Sequence, residues 1–439
     1  MEHYLGSERC SCGKIHTAAI DDVIIGNGVI SRLPAIIEKY GAKKPFILAD
    51  VNPFAAAGKA VCYILDARGI GYSRHIFPDS ALEPDEKAVG AAFMHYDPAC
   101  DVIVGVGSGV INDIGKILSN VSGRKYIIVA TAPSMDGYAS ATSSMSMDGL
   151  KVSLNSRCAD VIIGDIDILK QAPEHMLKAG LGDMLAKYIS IAEWRIGSLI
   201  TGEYYCERVA QLIRTALKKC VDNAQGLLKR EDAALQAVFE GLVIGGVAMA
   251  YAGVSRPASG CEHYISHMLD MRGEEFNTPT DFHGTQCATA TYIVTKLYEK
   301  IKAITPDESK AISRMADFKY EDRAKELRRY LGKAAESMIS LEAKEKKYDL
   351  GKHAARLEVI LEKWDDILRI IDEELPSVEE FEAILDSIEA PKTLEEIGLD
   401  SSTLAMTLKS TKDIRDKYVL PRLLWDIGEL DEVCEKVFG

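Results

Sequence analysis

Three of the nine histidines, His263, His267 and His283, fall between residues 263 and 283. His263 and His267 stand four apart in SGCEHYISHML, a spacing that puts both side chains on one helix face. His283 follows in DFHGTQ, after a loop containing Gly273 and Pro279. Upstream, Asp183 lies in AGLGDMLAKY, which reads as a glycine turn opening a helix. Two imidazoles and a carboxylate leave a coordination position open, as a catalytic divalent metal requires. A single helical histidine is ordinarily a core or surface residue, so the pair with a third nearby is what raises the metal reading. Spacing alone neither chooses between His263 and His267 nor singles out Asp183 among 66 acids.

A second group of residues suits a nucleotide. Asp101 to Gly105 is a short apolar run that reads as a buried strand, and GVGSG follows it directly. The apolar-periodic segment from Val110 to Leu118 then reads as a helix. A glycine turn between a strand and a helix N-terminus offers backbone N–H groups and a positive dipole end to phosphate. The spacing is not G-x-G-x-x-G, because Val110 holds the last place, so an ordinary strand–helix turn explains the glycines equally well. The next strand, Lys125 to Ala130, ends in TAPSMDGYAS, which carries Thr131, Ser134, Asp136, Gly137 and Ser140. Two polar loops at adjacent strand ends favour a nucleotide crevice. Pro45 to Asp50 is another buried strand, and an acid at its end can accept from ribose hydroxyls, cap the following helix, or do both.

Cys10, Cys12 and His16 are spaced C-x-C-x3-H. A structural zinc site takes four ligands and no fourth is apparent, so a surface β-turn around Gly13 is the expectation.

These residues must be positioned by two kinds of domain. Asp22–Gly28 reads as strand and turn, 31–40 as a helix capped by Ser31, and a helix runs from NPF to about Arg68. Tyr72–Phe77 reads as a strand and Asp85–His95 as a helix. Strand–helix alternation to residue 130 is the signature of a parallel sheet covered on both faces. Leu150–Leu154 and Val161–Asp165 read as two short strands, a hairpin returning to the sheet. Beyond Asp167 the pattern is helical. The expected architecture is an α/β, Rossmann-like nucleotide-binding domain over residues 1–165 and an all-helical metal- and substrate-binding domain over 166–439. The charge-dense stretch near 300–380 reads as solvated helix faces.

A chain of 439 residues with net charge −14 can build a large core and repels nucleic acid and anionic lipid. Ten scattered cysteines read as reduced thiols in a cytoplasmic protein, and the polar opening Met1–Arg9 carries no signal-peptide pattern. The longest apolar stretch, Gly241–Gly253, is too short to span a bilayer.

GVGSGVINDIGK, TAPSMDGYAS, GLGDMLAKY with a following EWRIG, SGCEHYISH and FHG stand here in an order that resembles the sn-glycerol-1-phosphate dehydrogenases. That family lies within the superfamily of metal-dependent polyol dehydrogenases and dehydroquinate synthases. The ending IRDKYVLPRLLWDIGEL is similar too, and the resemblance covers most of the chain outside a helical insertion near 300–360. It implies a dehydroquinate synthase-like fold and reduction of dihydroxyacetone phosphate to sn-glycerol 1-phosphate, a head group for ether lipids. It implies a nicotinamide cofactor and a metal, zinc or nickel; a homo-oligomer is expected, and Asp50, standing where a 2′-phosphate would lie, favours NAD(H) over NADP(H). Asp50 would hold the adenosine ribose. Gly109, Val110, Ile111, Asn112 and Asp113 would meet the pyrophosphate, and Thr131, Ala132, Pro133, Ser134 and Ser140 would line the nicotinamide side. Asp183, His263 and His283 would hold the metal, with Asp183 also near the substrate. Asp136 would contact the substrate, and His267 beside it would relay a proton. Arg256 and Lys187 are the candidate phosphate contacts. Two departures stand out: Thr285 where many relatives carry an acid, and GVG where the wider superfamily has GGG. The rival readings are dehydroquinate synthase, glycerol dehydrogenase and a non-catalytic nucleotide-binding protein.

Overall fold

In a computed structural model, which describes residues 6–147 and 150–438, ten strands form. They are β1 (Glu8–Arg9), β2 (Ile15–His16), β3 (Asp22–Gly26), β4 (Pro45–Asp50), β5 (Ser73–Phe77), β6 (Val102–Gly107), β7 (Lys125–Ala130), β8 (Thr142–Met147), β9 (Leu150–Asn155) and β10 (Val161–Asp165). Residues 1–5, part of the polar opening, lie outside the described residues.

Six strands make one parallel sheet in the order β3-β10-β7-β6-β4-β5. β4, β6, β7 and β10 are continuous apolar runs because both sheet faces are covered. The chain leaves β4 for β5 on one side and then returns to β6 on the other. The crevice beyond the C-terminal ends of β4 and β6 is therefore the topological switch point, where ligands bind in such sheets. Leu48 pairs with Gly105 and Gly107 with Ala130, so Asp50, the glycine turn and the loop after β7 emerge from the same sheet edge.

Leu150–Asn155 and Val161–Asp165 do not form the expected hairpin. β10 inserts in parallel between β3 and β7, while β9 pairs antiparallel with β8 in a separate ribbon. β8, TSSMSM, carries no apolar alternation to announce it. Ser31 also departs from its expected role: it sits inside a 3₁₀ turn, Val29–Arg32, and donates to the Gly28 carbonyl instead of capping.

The chain forms two compact units, Met1–Met184 with Gln211–Val254, and Leu185–Ala210 with Ser255–Gly439. Strand structure ends at Asp165, where the sequence places the boundary, yet the first unit continues past it. It does so because later helices complete its core. Helix Asp232–Ala252 sets Phe239 edge-on against Tyr138, with ring centroids 5.3 Å apart. Among the described residues this helix alone is long and apolar enough to cross a membrane, starting at Asp232 and not at Gly241. With 72% of its most apolar window buried, it is a core helix of the unit.

The second unit is helical throughout, around a core that includes Ile189, Tyr264, Tyr298, Leu327, Ile367 and Leu424. Its charge-dense insertion is not wholly solvated. Arg323 reaches inward to Asp413 (Nε to Oδ2, 3.0 Å) and Arg356 to Asp426 (2.7 and 2.8 Å). Asp413 directly precedes the C-terminal motif and Asp426 lies within it, and both acids are buried, so the insertion is tied to that ending by charge-assisted hydrogen bonds.

Candidate active site

Asp50 ends β4 in extended conformation, and one carboxylate oxygen accepts the Asn52 N–H at 2.9 Å. Burial pushes its carboxyl up, against that hydrogen bond. The cap accounts for one oxygen and is compatible with a ribose contact at the other.

The glycine turn after β6 opens helix Gly109–Ser122. Its side chains do less toward a ligand than the sequence suggests. Asn112 is fully buried and donates to the Gly137 carbonyl at 3.0 Å, and Asp113 pairs with Lys116 at 2.8 Å. What this turn presents to an anion is backbone N–H and the helix dipole. Lys116, absent from the sequence reading, is fully buried and donates to the Gly137 and Thr142 carbonyls at 3.3 and 2.5 Å. It ties the helix to the polar loop after β7.

That loop is held from several sides. Thr131 N–H donates to the Gly107 carbonyl (3.0 Å), Tyr138 hydroxyl to the Ala132 carbonyl (2.7 Å), and Ser140 and Thr142 hydroxyls meet at 2.9 Å. Ala132, Pro133, Thr131 and Ser134 are all buried. Asp183 does not follow a helix-opening turn; it lies inside helix Glu174–Leu185, with Gly180 one turn before it. The glycine serves close approach: a Cβ there would overlap the Pro133 carbonyl oxygen and lie 2.7 Å from its carbon. This approach lets the fully buried Asp183 accept the Asp136 N–H at 2.8 Å. The helix and the loop thus present Asp183 and the half-buried Asp136 together, with carboxylate oxygens within 4.8 Å.

In the second unit, helix Cys261–Phe276 carries His263 and His267, and helix His283–Ile301 carries His283. The three rings cluster, with centroids 4.9 Å (His263–His283), 5.8 Å (His267–His283) and 6.5 Å (His263–His267) apart. Glu262 accepts from His263 Nδ1 at 2.8 Å and also from the Gly260 N–H at 2.7 Å. His283 Nδ1 bonds Ser266 Oγ at 3.0 Å. Engagement of both Nδ1 atoms fixes the rings and leaves Nε2 as the nitrogen that could take a metal, a common arrangement around metal-bound imidazoles. Ser266 supplies the support for His283 that Thr285 does not. These buried partners fit a divalent metal.

Two more residues escaped the sequence reading. Cys287, one turn after His283, is fully buried with its Sγ 3.6 Å from His283 Nε2. Its ligand atom and those of His263 and His283 lie within 4.8 Å of one another, and the two imidazoles hold the thiol below its usual range against the effect of burial. Glu193 accepts the N–H groups of Cys261 (2.8 Å) and Leu420 (2.7 Å). Burial and the neighbouring Glu262 push its carboxyl up to about 8. The i,i+4 relation of Cys287 to His283 was the one signal available beforehand. Arg256 is unavailable to a phosphate: Glu203 holds its guanidinium, and it donates to the Tyr418 carbonyl at 2.9 Å. Lys187 is fully buried at the start of helix Lys187–Thr201.

Residues 24–173 match the family model described as iron-containing alcohol dehydrogenase. The chain is 33% identical over 302 residues to a glycerol-1-phosphate dehydrogenase [NAD(P)+] of Bacillus velezensis, covering 67% of this chain and 77% of that one. It is 31% identical over 297 residues to the enzyme of the same name from Halalkalibacterium halodurans, covering 67% and 74%. The solved glycerol dehydrogenase of Schizosaccharomyces pombe shares the fold, with a TM-score of 0.61 at 16% identity over 99% of this chain and 93% of that one. The fold agrees with that of the solved enzyme, and the identity to the two bacterial enzymes settles the matter: the chain belongs to the glycerol-1-phosphate dehydrogenase family.

Proposed function

We propose that this protein interconverts dihydroxyacetone phosphate and sn-glycerol 1-phosphate, using NADH in preference to NADPH and one divalent metal, zinc or nickel. The observation that carries the reading is the identity with two glycerol-1-phosphate dehydrogenases over about three quarters of their length. The assigned metal ligands are Asp183, His263 and His283. When bound, the metal supplies Lewis-acid polarisation of the ketone and the nicotinamide supplies hydride.

The chain's own groups orient and move protons. Asp50 takes the adenosine ribose, and backbone N–H groups from Gly109 to Asp113 take the pyrophosphate. Thr131 to Ser134 and Ser140 line the nicotinamide side. Asp136, fixed through its own N–H by Asp183, contacts the substrate hydroxyls. Glu262 keeps His263 in one tautomer and orientation, and Ser266 holds the orientation of His283. His267, stacked at 23° on His283, delivers the proton to the substrate oxygen. With Arg256 engaged by Glu203, Lys187 and helix N-termini are left as the substrate-phosphate contacts.

The test is NADH oxidation with dihydroxyacetone phosphate, with zinc or nickel added and chiral analysis of the product. Stoichiometric NADH consumption separates this activity from a dehydroquinate synthase, in which NAD is regenerated. Equal turnover of unphosphorylated dihydroxyacetone would replace the proposal with a glycerol dehydrogenase. Retention of full activity by metal-free His283→Ala would remove the ligand assignment.

A further inference from the structure

The N-terminal hairpin has no assigned part in this chemistry, yet it gathers three side chains of metal-ligating type. β1 and β2 pair antiparallel, His16 with Glu8 and Ile15 with Arg9. The turn closes through Gly13 N–H to the Cys10 carbonyl (3.1 Å) and Cys10 N–H to the Lys14 carbonyl (3.0 Å), with Gly13 at φ +88°. The left-handed glycine folds the chain back, so that Cys10, Cys12 and His16 converge. Their ligand atoms lie within 4.8 Å of one another.

The histidine is prepared as a ligand. His16 is fully buried, an uncommon state for an imidazole at a chain's edge. Its Nδ1 meets the Tyr251 carbonyl at 2.9 Å, and its ring stacks on Tyr251 with centroids 5.2 Å apart. A ring whose Nδ1–H is given to a carbonyl presents Nε2 as a lone-pair donor. Nε2 stands 3.5 Å from Cys12 Sγ. Zinc–sulfur and zinc–nitrogen bonds of about 2.3 and 2.05 Å, set at the tetrahedral angle, place S and N about 3.5 to 3.6 Å apart. Lys14 Nζ donates to the Ala252 carbonyl at 3.0 Å, which fastens the turn to the end of the core helix.

We infer that Cys10, Cys12 and His16 form a second, structural zinc site, with a ligand from outside the hairpin completing the tetrahedron. Binding converts the two thiols to thiolates and releases their protons. The ion would clip the N-terminal hairpin to the carbonyl end of helix Asp232–Ala252 through His16 and Lys14.

Cysteine exposure makes the inference testable on the unmodified protein. All ten cysteines are thiols, eight are buried, and Cys10 and Cys12 are the two partly exposed ones. The full-length protein is alkylated under reducing conditions, as zinc-loaded and as chelator-stripped samples, and labelling is mapped by peptide mass spectrometry. Zinc is expected to slow labelling of Cys10 and Cys12 by at least about tenfold, since a coordinated thiolate is a poor nucleophile. In parallel, Co(II) is loaded into the wild type and into Cys10→Ser/Cys12→Ser. Thiolate-to-cobalt absorption is expected in the wild type and sharply reduced in the double variant, with about one metal equivalent fewer per chain. Equal labelling of Cys10 and Cys12 with and without zinc would overturn the site, and so would unchanged metal content in the double variant. The alkylation measurement needs no variant, so a misfolded double mutant leaves the test intact. Neither readout depends on turnover or on the Asp183–His263–His283 assignment.

Discussion

Gly180→Ala is the smallest change that reaches the proposed metal carboxylate. The new Cβ would lie 2.7 Å from the Pro133 carbonyl carbon and overlap its oxygen, and Val238 Cγ1 would sit at 3.3 Å. Unstrained carbon contacts are about 3.5 to 4.0 Å, so helix Glu174–Leu185 must withdraw from the loop by about 1 Å. Asp183, one turn along, withdraws with it. Its 2.8 Å hydrogen bond from Asp136 N–H would then stretch to roughly 3.8 Å, past any useful length. Overpacking costs about 1–3 kcal/mol and loss of a hydrogen bond to a charged acceptor about 1.5–3 kcal/mol. A destabilisation of roughly 2.5–6 kcal/mol is expected, with kcat/KM reduced about a hundredfold by misplacement of the reacting groups. Gly90→Ala is the control. It also lies inside a helix, Glu86–Met94, but its Cβ would meet nothing within 4 Å, so helix propensity favours it by up to about 1 kcal/mol. The assays are urea unfolding, metal content by elemental analysis, and steady-state NADH oxidation. A Gly180→Ala protein with wild-type stability, metal content and kcat/KM would refute the reasoning.

His267→Ala should keep metal and NADH but lose turnover by about a hundredfold to ten-thousandfold, read as a flattened pH–rate profile; loss of the metal would make His267 a ligand. Asp50→Gly should narrow the preference for NADH over NADPH, measured as the ratio of the two kcat/KM values, because a carboxylate repels a 2′-phosphate. A wild type that uses NADPH as well as NADH would count against the ribose role. Lys412 is buried, and burial with Arg323 nearby pushes its amine down to about 7. The unfolded chain therefore binds more protons than the folded one above pH 7, and stability should rise from pH 7 toward pH 10, by at most about 1.4 kcal/mol per pH unit. Lys412→Met should flatten that rise in urea titrations at several pH values; an unchanged slope would exclude Lys412 as its source.

The parallel sheet was legible because its inner strands are uninterrupted apolar runs: Pro45–Asp50 and Lys125–Ala130 have in the structure the limits read from sequence. β8 was not legible, since TSSMSM pairs through its backbone in a ribbon outside the main sheet. The glycines of AGLGDML misled because glycine signals a turn locally, whereas here it signals a close approach visible in three dimensions only. The histidines were found by type and spacing. Their supports, Glu262 and Ser266, were not, since one is adjacent in sequence to its imidazole and the other is contributed from a different helix. Cys10, Cys12 and His16 were seen as a pattern, and the carbonyl of Tyr251, 235 residues away, was needed to give the histidine its orientation.

The first unit is written in two pieces, and that sets a schedule for its birth on the ribosome. Its last strand is complete at Asp165, but the helix that seats Phe239 against Tyr138 ends at Ala252. At about 5–20 residues per second, the sheet waits some 4 to 17 seconds for its missing cover. During that interval the apolar side of Tyr138 and its neighbours is open to chaperones or to other nascent chains. A fragment cut at residue 166 would be held in that state permanently, so an expressed first unit should extend through Val254 to remain soluble.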